Sequence, residues 1–164
     1  MCPKPTFHPV QIKASGVLTP QRYISNPVVF KSADQFTPTK FDTAEDKAKF
    51  ANQFVSFVSS GFKQSKFTKA FYRRLSMTFG HIAHFNQFGF WDTFFTSLPD
   101  KVNFIEQTLR HPCYGDAAWT YSDVEKVLQS WILDNKVLSN LREEANEEQT
   151  ASELATLAHL KSKY

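Results

Sequence analysis

The chain has 164 residues, enough for one domain with a real core, and its 41% hydrophobic content excludes a wholly disordered chain. The net charge is only +3, but residues 1–80 carry twelve Lys/Arg against four Asp/Glu, while residues 81–164 carry seven against twelve. Halves of +8 and −5 point to an acidic partner or to attraction between the halves.

Nothing approaches the apolar run of a membrane span, so no membrane association is expected. The start, "MCPKPTFHPV", lacks the apolar stretch of a secretory signal. A cytoplasmic location is expected, with Cys2 and Cys113 as free thiols, since they form no motif. Six of the eight prolines fall in residues 1–38, so that segment cannot be a long helix. The reading is an extended Pro-rich arm over 1–42, with a short strand at "PVVF", followed by one helical domain over 43–164.

A helix is predicted from Thr43, a plausible N-cap with Glu45 and Asp46 in the first turn. Phe50, Phe54 and Phe57 then follow at spacings of three and four, and "SSG" ends the pattern at Gly61. A second helix is predicted from Gln64 towards Phe85, with the turn "NQFG" breaking it and "WDTFF" forming a short turn or helix. Asp100 reads as the N-cap of "KVNFIEQTLR", which Pro112 stops. "CYGDAAWTY" reads as a loop. Ser122 with Glu125 reads as a capping box before the stripe Val124, Leu128, Trp131 and Ile132, and Thr150 with Glu153 as another before Leu154, Leu157 and Leu160. The fold class is therefore all-α, a compact bundle of five or six helices with an extended N-terminal arm. Its expected core includes Phe50, Phe54, Phe57, Phe67, Phe71, Leu75, Ile82, Ile105, Leu109, Trp131 and Leu138.

The candidate site lies in the second helix. With about 100° per residue, Phe67, Phe71 and Leu75 share one face. Lys63, Lys66, Lys69, Arg73, Arg74, His81 and His84 fall on the other, if the helix runs through Gly80. From Gly61 to Ala83 there are five cations and no acid. An ordinary solvated helix interleaves signs to gain i,i+4 pairs, so a unipolar face suits phosphates or an acidic surface. It suits equally a neutralising contact with Glu143, Glu144, Glu147 and Glu148.

A cationic face serves a metal ion poorly, so neither a metal nor another cofactor is expected. No glycine-rich phosphate loop, CxxC, HExxH or GxSxG occurs, and no catalytic residue is assigned. The favoured reading is a non-enzymatic binding or regulatory module that engages nucleic acid or an acidic protein through Lys63, Lys66, Lys69, Arg73, Arg74, His81 and His84. The alternatives are a small His-dependent enzyme built on His81, His84, Asp92 and His111, and a structural subunit that packs through Phe-rich faces. Trp91, Phe94 and Phe95 offer rings for stacking on bases, although a run after a turn is more often core.

Overall fold

The computed structural model of the chain describes residues 30, 33–79, 82, 85–110 and 115–164. Residues 1–29 of the arm, with Cys2 and all of its expected strand but Phe30, lie outside these residues, as do Gly80, His81, His84, His111 and Cys113.

Among the described residues the architecture is all-helical, with six α-helices and two short 3-10 turns, Ala33–Gln35 and Gln64–Lys66. The α-helices are α1 (Ala44–Ser59), α2 (Lys69–Thr78), α3 (Gln87–Phe94), α4 (Leu98–Arg110), α5 (Ser122–Asp134) and α6 (Val137–Lys163). Helix α1 packs against α2 and α5, α2 also meets α5, α3 lies on α4, and α6 lies along α4 and α5.

Helix α1 begins as its sequence dictates. The Thr43 hydroxyl accepts from the Asp46 N–H at 3.1 Å, and the Asp46 carboxylate accepts from the Thr43 N–H at 2.9 Å. This reciprocal pair satisfies two of the donors that a helix start leaves open. The helix ends at Ser60 and Gly61, where Gly61 takes φ 82°. Phe62 follows at φ 61°, a left-handed conformation that costs a side-chain-bearing residue about 1–2 kcal/mol. Packing holds it there: its ring stacks on Phe95 at 5.6 Å and meets Phe57 edge-on at 5.4 Å.

The interior is a continuous field of rings. Phe57 alone lies within 6.4 Å of Phe62, Phe67, Phe71, Trp91 and Phe95, centroid to centroid. Offset and edge-on pairs of this kind add to the burial energy of about 1.5–3 kcal/mol per enclosed Phe. The expected core residues are buried except Leu109 and Leu138, which are half-buried at its edge.

Several boundaries differ from the sequence reading. The second helix does not run from Gln64 to Phe85. It starts at Lys69, because the Thr68 hydroxyl caps it by accepting from the Phe71 N–H, and it ends at Thr78, where Phe79 turns extended. Asn86 does not break the chain but caps α3, accepting from the Gly89 N–H at 2.6 Å. Ser97, not Asp100, caps α4. The Ser122 hydroxyl does not cap α5; it donates to the Gly115 carbonyl at 2.7 Å and so fastens the preceding loop.

Thr150 starts nothing, since α6 is continuous over 27 residues. Every residue from 149 to 164 is exposed, and Leu154, Leu157 and Leu160 are 61%, 48% and 45% exposed. Their helical spacing is real, but the body of the molecule does not cover them. No described helix is long and apolar enough to cross a membrane.

Candidate functional site

The cationic stretch is assembled from a turn and a helix rather than from one helix. Phe67 is the anchor. It is buried, with its ring 5.7 Å from Phe57, 5.2 Å from Trp91 and 5.3 Å from Phe95. Driving Phe67 inward leaves its neighbours Lys66 and Lys69 outside. Helix α2 then buries Phe71, Leu75 and Thr78 and keeps Arg73 in solvent. Lys63, Lys66, Lys69 and Arg73 are all exposed. Only Lys69 and Arg73 share a helix.

Arg74 is different. Its guanidinium is half-buried and donates to the Asp42 carboxylate at 3.1 Å, tying α2 to the segment before α1. Asp42 also lies near Tyr121, whose hydroxyl is held protonated, well above the usual phenol range, by burial first and then by that carboxylate. The Asp42, Arg74 and Tyr121 group therefore belongs to the body of the fold.

All sixteen acidic residues of the chain lie within the described residues. Ion pairs found there include Lys47–Asp123, Arg74–Asp42 and Arg142–Glu106. None of Lys63, Lys66, Lys69 and Arg73 forms an ion pair with an acid among the described residues. Electrostatics at α2 add to this. Lys69 sits in the first turn, where the helix dipole is positive, and no acid accompanies it. That end of α2 is left favouring an anion.

Three residues bring α3 onto this surface. The Gln87 side-chain amide donates to the Phe67 carbonyl at 3.1 Å, which fixes the first turn of α3 on the link between Lys66 and Lys69. Tyr72 donates its hydroxyl to the Phe85 carbonyl, just ahead of the Asn86 cap. The Tyr72 hydroxyl is raised above its ordinary pKa by burial, so it stays a donor across the neutral range. Gly89 completes the turn: a Cβ there would meet the Asn86 side-chain oxygen at 3.1 Å, crowding the cap.

Of the rings considered for base stacking, Phe94 and Phe95 are buried and Trp91 is half-buried. A ring not considered there, Phe88 on the same helix, is 76% exposed, and Phe41 and Trp119 are exposed elsewhere among the described residues. Phe88 was not legible as such, because in sequence it is one Phe among many in a run, and only the Asn86 cap sets the phase that turns it outward. Asp92, exposed on α3, adds a negative charge beside it.

His81 and His84 lie outside the described residues. Among those described, no three His, Cys, Asp or Glu side chains come together as a metal ligand set.

No family model, curated protein or solved structure is similar to the chain.

Proposed function

We propose that the protein is a non-enzymatic binding module whose exposed cations engage a polyanion, nucleic acid or an acidic protein surface. The observation that carries this reading is the set Lys63, Lys66, Lys69 and Arg73: four exposed side chains with no acid paired to them among the described residues. Like charges gathered at one surface repel each other, and an anion relieves that repulsion. The positive end of α2 acts in the same direction. Arg74, held by Asp42, positions α2 rather than meeting the partner.

The test is a triple charge reversal, Lys66→Glu, Lys69→Glu and Arg73→Glu, followed by binding and melting. Binding to polyanions should vanish, because cations become anions at the contact. The melting temperature should hold, because none of the three side chains is buried or paired. A variant that binds as well as the parent would refute the reading.

A further inference from the structure

We infer that the anion this surface fits is single-stranded nucleic acid, with Phe88 as the platform on which a base stacks. The inference rests on the polyanion reading above and narrows it. Phe88 is 76% exposed in a molecule that buries most of its other rings. It follows directly on Gln87, whose amide is bonded to the Phe67 carbonyl at 3.1 Å, between Lys66 and Lys69. Trp91, one turn further along α3, has its ring 5.2 Å from Phe67 and is itself half-buried. Residues i and i+3 of a helix are neighbours, so Phe88 lies next to Trp91 on α3, on the turn that Gln87 ties to the Phe67 carbonyl between Lys66 and Lys69.

Phosphates need only the cations. The ring faces need a flat partner that is not already stacked. Duplex DNA offers its phosphates but hides its base faces, whereas a single strand offers both. An acidic peptide supplies charge and leaves the rings without a partner. Every base has a π-face, so recognition would tolerate any sequence. The Asn86 cap and the absence of a Cβ at Gly89 act as positioning features, since they fix the turn that turns Phe88 out. Asp92 opposes binding, as the one acid on α3.

The experiment measures binding of labelled oligo-dT, oligo-rU, a mixed-sequence duplex of equal length and an oligo-glutamate peptide, at low ionic strength. Parent protein, Phe88→Ala, Phe88→Trp, Asp92→Asn and the triple reversal are compared. The parent should prefer the single strands to the duplex by about 5- to 150-fold, the range that one stacked base supplies. Phe88→Ala should lose that preference and keep duplex binding. Phe88→Trp should retain it, and Asp92→Asn should tighten all nucleic acids. The exposed position makes Phe88→Ala safe for folding, and its circular dichroism melt verifies that.

Equal single-strand affinity for parent and Phe88→Ala overturns the inference. So does duplex binding as tight as single-strand binding, or binding of the acidic peptide alone. In those cases the polyanion reading survives if the triple reversal abolishes the binding. Absence of binding to any of the four probes overturns both.

Discussion

Lys47 is a lysine that lies wholly inside the protein, 0% exposed, and its removal should be among the most damaging single changes. Its ammonium donates to the Ala117 carbonyl at 2.9 Å, the Thr120 carbonyl at 2.9 Å and the Asp123 carboxylate at 3.0 Å. All three ammonium protons are used, and the charge lies 5.3 Å from the Tyr121 ring centroid. Lys47→Met keeps the length and the apolar stem but strands two carbonyls and a carboxylate. Removing one partner of a buried pair typically costs about 3–5 kcal/mol. The lower end applies, because Asp123 keeps some access to water and still accepts from the N–H groups of Thr37 and Val124. About 3 kcal/mol corresponds to a fall in melting temperature of roughly 6–12 °C for a chain this long. Urea unfolding followed by far-ultraviolet circular dichroism reads the loss directly. The double variant Lys47→Met/Asp123→Asn should recover part of it, since the stranded charge is gone. A loss below about 1 kcal/mol for Lys47→Met would refute the view that this group fastens the loop before α5 to α1.

Phe71 is enclosed by Phe50 at 5.5 Å, Phe57 at 5.2 Å and Phe67 at 6.2 Å, so Phe71→Ala should cost about 3–5 kcal/mol in the same assay, and a loss under about 1 kcal/mol would contradict that packing. The Thr43 N–H donating to Asp46 holds that carboxyl below its ordinary pKa. Because the folded pKa is the lower one, the stabilisation is present above the ordinary carboxylate range near pH ~4 and fades as pH falls through the folded value. Asp46→Asn should flatten the acid limb of a stability-versus-pH curve, and an unchanged limb would count against the cap's contribution. Removing residues 151–164 should lower the helical signal while moving the melting midpoint of the body by less than about 2 °C, since all of these side chains are exposed; collapse of the cooperative transition would show that α6 is supported along its whole length.

The sequence made the helical class and most of the core legible because apolar residues at spacings of three and four leave few other solutions. Phe50, Phe54 and Phe57 are buried on one face of α1, and Thr43 caps that helix with Asp46 as expected. Boundaries were legible only where the capping residue was unambiguous. Asn86 three residues before Gly89 reads as a turn, yet the same asparagine oxygen caps a helix when it meets the Gly89 N–H. Ser122 fits a capping box, but a loop carbonyl from Gly115 competes for its hydroxyl. Such choices between local and tertiary partners do not appear in the periodicity.

The candidate site shows the same division. A run of cations without acids was visible, and Lys63, Lys66, Lys69 and Arg73 are indeed exposed. The separate engagement of Arg74 by Asp42, thirty-two residues away, was not visible, because periodicity sets Arg74 about 20° from Phe67 and Arg73 about 120° from it but names no distant partner. Phe88 was hidden by the same ambiguity: only the phase set by the Asn86 cap separates it from the buried Phe90 and Phe94. Lys47, within an amphipathic helix, reads as a surface residue until the loop carbonyls that surround it are placed.

The most direct test of a polyanion-binding surface is the dependence of oligonucleotide affinity on salt. Four unpaired cations that meet phosphates should give a slope of log K against log salt of about −3 for a single strand and no steeper than about −4 for a duplex. The triple reversal of Lys66, Lys69 and Arg73 should bring both to zero by abolishing binding. A slope near zero for the parent protein, or an affinity unchanged by the reversal, would contradict the account.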